Sequence, residues 1–212
     1  PSVLSLFPVV VRPSSKIKAS RNKSDDYCLS DKEKYDIYDE NLALVSEHGY
    51  KQDCFTRFCS SDLDSFFQET MEFRGMPLIG IGPGARSYKD RYHYSTDYVV
   101  SNEESYDVVK RFMDQEFNDE TMTDNGIILD EDEQKRRYVI LNLSLYGIDA
   151  SLYKEKFASS PFERFGHEFK ILRDNKCITV DECENVKLTP LGYKFSPLLA
   201  QQIGRASCRE RV

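Results

Sequence analysis

Glycine is concentrated in one short segment, and this segment restricts what the middle of the chain can form. Residues 77–88 read PLIGIGPGARSY, so an apolar run leads directly into Gly80, Gly82 and Gly84. Glycine is favoured where the backbone needs a positive φ or a close approach to another group. The segment therefore predicts a short strand over residues 77–81, followed by a tight loop that packs against either a ligand or another part of the chain.

Two nucleotide-binding motifs can be tested against this loop. A P-loop needs a Lys followed by Ser or Thr after its last glycine, and no such pair follows here, which excludes it. Gly80, Gly82 and Ala85 formally satisfy the dinucleotide fingerprint G-x-G-x-x-A, which must open a helix. A dinucleotide-dependent oxidoreductase therefore predicts a helix over residues 86–97, whereas a structural loop predicts extended chain there. Tyrosines and poor helical periodicity in that stretch favour the second alternative.

The first half of the chain alternates between strand-like and helix-like segments. Residues 1–117 are typical of an α/β chain with a parallel sheet. Ser30 and Glu33 form a capping-box pattern at the start of one helix, and Gly49 stands where that helix should end. We expect strands over 5–12, 50–60 and 91–101, and helices over 30–49, 61–70 and 102–117.

The second half of the chain has a different pattern of predicted helices and strands. Residues 118–127 form a polar, turn-rich linker. The predicted elements after it are a helix from residue 128 to Gly147, a helix opened by Ser151, a helix opened by Ser160 and Pro161, two strands around an acidic turn in 177–189, and a last helix opened by Thr189 and Pro190. Pro is favoured at a first helical position, which supports two of these starts. Residues 128–201 therefore predict a small winged-helix-like α+β domain.

Both ends of the chain have unusual sequences. The chain begins at Pro1 within a strand-like run, and residues 202–212 can be back-translated into a common sequencing-adapter read. We therefore expect an open reading frame cut at both ends, and we leave the residues from Gln202 onward out of the fold prediction.

Composition narrows the classes of partner. The net charge of −7 argues against a dedicated nucleic-acid binder, and the longest apolar run is too short to span a bilayer. Six cysteines without C-x-x-C spacing favour reduced thiols and a cytoplasmic location. The histidines do not cluster with the cysteines, so no metal site is expected. Neither nucleic acid nor membrane is expected as a partner.

The glycine segment also carries a family resemblance. GIGPGARSY resembles the GLG-x-GA-x-SY segment of radical S-adenosylmethionine (SAM) proteins of the oxygen-independent coproporphyrinogen III oxidase and heme chaperone type. Pro83 and Arg86 depart from that pattern. Further segments resemble the same family in the same order: LFPVVVRP, GYKQDCFTRFCS, YVILNLSLYGID and LTPLGYKFS. The resemblance covers most of residues 5–200.

The resemblance implies a fold and a chemistry. Residues 1–117 would be the late part of a partial radical-SAM (β/α) barrel, and the parent protein would use S-adenosylmethionine, a [4Fe–4S] cluster and an electron donor on a tetrapyrrole-like substrate. The C-x-x-x-C-x-x-C cluster loop is absent from these 212 residues. A heme chaperone and a methylase or cyclopropanase of natural products remain alternatives. Residues implied to line the cofactor or substrate are Gly80, Gly82, Gly84 and Ala85. Arg86, which departs from the pattern, would bind a carboxylate of the cofactor or substrate or would be a solvated surface side chain. No catalytic residue is assigned.

Weaker candidates each have a structural alternative. Asp53 and Arg57 would reach a pocket or form a structural ion pair. The aromatic residues Tyr88, Tyr92, His93 and Tyr94 would pack on a flat ring or in the core. His167 lies within a predicted helix and is expected at the surface.

Overall fold

A computed structural model describes residues 1–8, 29–60, 71–96, 102–116, 125–145 and 147–208. The chain divides into two compact units. The first unit contains residues 1–7, 31–74 and 133–212, and the second contains residues 8–30 and 75–132. Within the described residues, no helix is long and apolar enough to cross a membrane.

A small antiparallel sheet and one helix form the N-terminal part of the first unit. The strands β1 (Val3–Ser5), β2 (Lys51–Gln52) and β3 (Arg57–Cys59) lie in the order β1-β3-β2, and helix α1 spans Asp31–Glu47. Lys51 pairs with Cys59, so β2 and β3 form a hairpin. The single strand predicted over 50–60 is therefore wrong, because the chain reverses direction between Gln52 and Arg57.

In the second unit, three further strands form another antiparallel sheet in chain order. They are β4 (Arg86–Lys89), β5 (Tyr92–Ser95) and β6 (Asn125–Ile128), with helix α2 over Asn102–Asp114. Asp90 has a φ of 53° in the turn between β4 and β5. A short Asp side chain tolerates this left-handed conformation better than most residues.

The remaining elements of the first unit form its hydrophobic core. They are α3 (Glu131–Leu145), α4 (Ala150–Phe157), α5 (Pro161–Asp174), β7 (Ile178–Val180), β8 (Val186–Leu188) and α6 (Pro190–Cys208), and the hairpin β7-β8 is antiparallel. The helix–hairpin–helix order agrees with the pattern expected for residues 128–201. The most deeply buried side chains include Val139, Tyr153, Phe165, Phe169 and Ile203.

Polar side chains define where two of these helices begin. Ser160 accepts from the amide of Phe162, and Glu163 accepts from the amide of Ser160, a complete capping box. Asp149 accepts from the amides of Ser151 and Leu152, so the cap of α4 is Asp149 and not the predicted Ser151. These bonds satisfy amides that a helix start leaves unpaired.

Two glycines bring backbone segments into direct contact around the β7-β8 hairpin. Ile148 exchanges two backbone hydrogen bonds with Val186, at 2.7 and 2.9 Å. The φ of Gly147 is 83°, and a Cβ there would overlap the carbonyl oxygen of Val186. At Gly192 a Cβ would overlap the carbonyl oxygen of Cys177. Gly147 in the segment YGID and Gly192 in the segment LTPLG are therefore required by close backbone packing.

The acidic turn between β7 and β8 is held by its own side chains. The Asp181 carboxylate accepts from the amides of Cys183 and Asn185, both at 2.9 Å, and from the Asn185 side chain at 3.0 Å. These bonds lower the pKa of Asp181, the one from the Asn185 side chain most. Ser160 Oγ donates to Glu184 at 3.0 Å, which ties the turn to the start of α5.

The described structure corrects three expectations. All described strand pairs are antiparallel, whereas a parallel sheet was predicted for residues 1–117. Asn125–Ile128 is a strand, so α3 begins at Glu131 and not at residue 128. The last helix extends past the predicted domain end at residue 201, because α6 continues to Cys208 and the Ile203 side chain is 1% exposed. The predicted helix over 61–70 lies outside the described residues.

Candidate functional site

The glycine segment is a closed loop at one edge of the β4-β5-β6 sheet. Leu78 and Tyr88 form an antiparallel bridge with two backbone hydrogen bonds of 2.8 Å. Residues 79–87 are therefore held between two paired positions, and the strand predicted over 77–81 is reduced to this single bridge.

Hydroxyl groups fasten the loop from inside the unit. The Gly80 amide donates to Ser87 Oγ at 3.0 Å, and the Gly84 amide donates to Thr96 Oγ1 at 2.8 Å. Thr96 Oγ1 in turn donates to the Gly82 carbonyl at 3.0 Å. The Ala85 amide also donates to the Gly82 carbonyl, at 3.1 Å. Three loop amides are therefore bonded within the unit, which does not suit a phosphate cradle.

The glycines are required for different reasons. A Cβ on Gly80 would lie 2.6 Å from the Arg86 carbonyl oxygen and 2.8 Å from the Arg86 nitrogen. Gly82 and Gly84 have φ of 111° and 74°, a region that side chains disfavour. The group packed against Gly80 is thus the chain itself. A Cβ on Gly82 would meet nothing within 4 Å, so that position faces open space.

The loop presents apolar side chains outward. Ile79 is 72% exposed and Ile81 is 92% exposed, while Arg86 is exposed at the start of β4. The structure therefore brings Gly80, Gly82, Gly84, Ala85 and Arg86 together in one loop. No local sequence pattern identifies Thr96, whose hydroxyl bonds both Gly82 and Gly84.

The dinucleotide alternative is wrong for this loop. It predicts a helix over residues 86–97, but Arg86–Lys89 and Tyr92–Ser95 are strands. No helix N-terminus follows the glycines in these described residues, so the pyrophosphate would lack its usual binding position.

The aromatic candidates are divided between two faces of the sheet. Tyr88 pairs with His93, and their rings stack with centroids 4.1 Å apart and an interplanar angle of 20°. Tyr92 and Tyr94 alternate with His93 and therefore lie on the opposite face. Arg91 lies over the Tyr92 ring, 5.5 Å from its centroid.

The remaining candidates are Asp53, Arg57 and His167, and none of them belongs to the glycine loop. Arg57 Nε donates to Asp53 Oδ2 at 2.6 Å, and these side chains are only 6% and 14% exposed, which matches the ion-pair alternative. His167 is exposed on α5. Among the described residues, no group of three His, Cys, Asp or Glu side chains could hold a metal ion.

Comparison with known proteins gives one informative match. No family model matches the sequence, and no curated protein matches it. A solved structure of coproporphyrinogen III oxidase (HemN) from Escherichia coli, a radical SAM enzyme, matches with a TM-score of 0.67 and 21% sequence identity. This chain has the fold of part of HemN. The match covers 96% of this chain and 48% of the HemN chain, so the HemN-like fold extends over both compact units.

Proposed function

We propose that this chain is the C-terminal portion of a radical SAM protein that acts on a tetrapyrrole or a related substrate. The observation that carries the proposal is the likeness to HemN over 96% of the chain, supported by the family-like segments that follow one another in order. In this proposal the first half corresponds to the late part of the partial barrel, and residues 128–201 to a winged-helix-like domain after it.

The iron–sulfur cluster does not fit the residues present. Three closely spaced thiolates normally hold such a cluster, and the 212 residues contain no C-x-x-x-C-x-x-C segment. Reductive cleavage of S-adenosylmethionine to a 5′-deoxyadenosyl radical would therefore belong to another part of a longer, cytoplasmic protein. That part would also receive electrons from a donor protein.

The glycine loop would contribute a rigid wall to the active site. Its backbone is fixed by Ser87 and Thr96, while Ile79 and Ile81 point outward. Apolar side chains on a fixed backbone can position a ligand and exclude water without reorganising when it binds. The loop is therefore proposed to line the cofactor or substrate side, with the exposed Arg86 side chain at its end.

The proposal is tested first on the coding sequence upstream of Pro1. A C-x-x-x-C-x-x-C loop in frame is expected. The longer protein, reconstituted anaerobically, should then release 5′-deoxyadenosine and decarboxylate coproporphyrinogen III. Ile81→Asp should lower this activity at least about tenfold if the loop lines the site, whereas Ile171→Asp, an exposed change on α5, should not.

Other results would redirect or overturn the proposal. A Soret shift on heme addition without product would indicate the heme chaperone, and a methylated or cyclopropanated product would indicate the third alternative. A start codon near Pro1 with no cluster loop, together with no cleavage of S-adenosylmethionine, would refute a radical enzyme.

A further inference from the structure

Strand β6 forms an outer edge of the β4-β5-β6 sheet. It pairs with β5 on one side, and within the described part of the chain no strand pairs with its other side. The β4 edge is different, because Leu78 covers it through two backbone hydrogen bonds with Tyr88. A free sheet edge offers backbone donors and acceptors to an incoming strand.

The register shows which residues of β5 bond β6. The amide and carbonyl of Tyr88 both bond Leu78, so they point away from β5. Tyr88 and His93 are therefore a non-hydrogen-bonded pair, and the His93 backbone points toward β6. His93 lies opposite Ile127. These two residues are consequently a hydrogen-bonded pair.

The same alternation shows which backbone groups of β6 point outward. The Leu129 amide donates to the Arg91 carbonyl at 2.8 Å, one step of the alternation beyond Ile127. Since bonded residues alternate along an antiparallel strand, Ile127 and Leu129 bond β5. The amides and carbonyls of Gly126 and Ile128 therefore point to the outer edge.

The side chains of β6 are also exposed. Ile127 is 57% exposed and Ile128 is 61% exposed, and neighbouring residues of a strand point to opposite faces. Free edges are usually blunted by lysine, proline or a bulge, but β6 reads NGII and its register with β5 is continuous. An added strand would bury an isoleucine on each face of the sheet.

Negative charge surrounds β6 along the chain. Residues 116–132 contain seven acidic residues and no basic residue, and Asp124 and Asp130 stand on either side of the strand. Several of these carboxylates have partners within the chain, so an incoming strand meets the net charge of the segment and not one free group. Two such edges would repel each other, whereas a segment with lysine or arginine would be attracted.

We propose that the outer edge of β6 binds an extended, basic segment of a partner protein by strand addition. The segment exchanges backbone hydrogen bonds with Gly126 and Ile128, and its apolar side chains pack on Ile127 and Ile128. Its basic side chains face the acidic surroundings. The binding site contains no residue of the glycine loop and requires neither S-adenosylmethionine nor the cluster, so it goes beyond the proposed function.

Hydrogen exchange on the 212-residue chain tests the edge. The amides of Gly126 and Ile128 should exchange at least about tenfold faster than those of Ile127 and Leu129, which bond β5. A saturating octapeptide of alternating lysine and valine, with blocked ends, should slow the first two at least about tenfold. A peptide with proline for each valine keeps the charge but cannot add to a sheet, and should not protect them. A peptide with glutamate for each lysine should bind at least about tenfold more weakly.

A matched pair of variants places the binding on β6. Ile128→Lys puts a blunting residue on the edge and should weaken binding of the lysine–valine peptide at least about fivefold, measured by fluorescence anisotropy. Ile171→Lys makes the same change of charge at an exposed position of α5, in the other compact unit. That variant should bind the peptide within about twofold of the parent.

Four results would overturn the proposal. The first is no saturable binding of the lysine–valine peptide, and the second is equal binding of the proline peptide, which would show charge attraction alone. The third is a dimer of the free chain that Ile128→Lys dissociates, since the edge would then belong to a second copy. The fourth is protection of Gly126 and Ile128 in the longer protein without peptide. None of these results depends on cleavage of S-adenosylmethionine, so the proposed function stands or fails separately.

Discussion

Replacing Gly192 by alanine tests the close packing of α6 on the β7-β8 hairpin. The new Cβ would overlap the carbonyl oxygen of Cys177 and lie 2.9 Å from Leu188 Cδ2 and 3.0 Å from the Cys177 carbonyl carbon. Because the main obstacle is backbone, rotation of a neighbouring side chain cannot relieve it. The start of α6 would have to move away from Cys177.

The size of the effect follows from three contributions. Helix propensity alone would favour alanine over glycine by about 1 kcal/mol. Overpacking a tight site costs about 1–3 kcal/mol. The shift also disturbs the 3.0 Å bond from the Thr189 amide to the Cys177 carbonyl, which is worth about 1 kcal/mol. We expect the free energy of unfolding to fall by about 2 kcal/mol.

Urea unfolding followed by far-ultraviolet circular dichroism measures this change. Gly166→Ala is the matched control, because Gly166 lies within α5 and a Cβ there meets nothing within 4 Å. That variant should be more stable than the parent by up to about 1 kcal/mol. If both variants shift the midpoint in the same direction, or if Gly192→Ala is not destabilised, the packing argument is refuted.

Three further predictions concern polar groups. Asp149→Ala should lower the free energy of unfolding by about 1 kcal/mol because α4 loses its cap. Hydrogen bonds from the Ser151 hydroxyl and from helix amides hold the pKa of Asp149 below its ordinary value. The stabilisation by Asp149 is therefore complete above about pH 4 and is lost as the pH falls through the lowered pKa. The free energy of unfolding of the variant should fall less steeply at acidic pH than that of the parent, and an equal slope would contradict this. Asp53→Asn removes the carboxylate that pairs with the buried Arg57 side chain and should lower the free energy of unfolding, measured in urea, by about 3 kcal/mol. A decrease as small as that for a surface ion pair would mean that stability does not require this ion pair. Burial raises the pKa of the Cys177 thiol, so a thiol reagent at neutral pH should modify exposed Cys183 far faster, and equal rates would show that Cys177 is accessible.

Helix ends in the C-terminal half could be predicted because their signals are local. Ser160 and Pro161 identify the start of α5, and Gly147 follows the end of α3 closely. Each signal depends on residues within one helical turn. The start predicted for α4, Ser151, lies two residues after the observed cap, Asp149. Asp and Ser are both good caps, and both stand at this boundary, so a local signal cannot choose between them.

Strand direction could not be predicted from the same kind of signal. The reversal between β2 and β3 contains no glycine; the amides of Asp53 and Cys54 both donate to the Arg57 carbonyl instead. The residues of β6 look like the approach to a helix, yet they pair with residues of β5 that lie 30 to 36 positions earlier in the chain. Pairing at such separations is set by packing partners and not by local propensity.

The candidate site was partly predictable. Three glycines close together indicate a close approach of backbone, and the structure has one at Gly80. The sequence cannot tell which backbone comes close, and here it is that of Arg86. It also cannot show that Thr96 fastens the loop, because a hydroxyl twelve residues after Gly84 carries no local pattern.

The side-chain bonds of the acidic turn between β7 and β8 have a consequence for proteolysis. Glutamates in an exposed turn are usual cleavage sites for a glutamyl endopeptidase, which needs several residues in an extended form. The Asp181 carboxylate holds the amides of Cys183 and Asn185, and Ser160 holds the Glu184 side chain. The protease can therefore cut only after the turn has opened locally. The cleavage rate at this turn thus reports how often the hairpin separates from the start of α5.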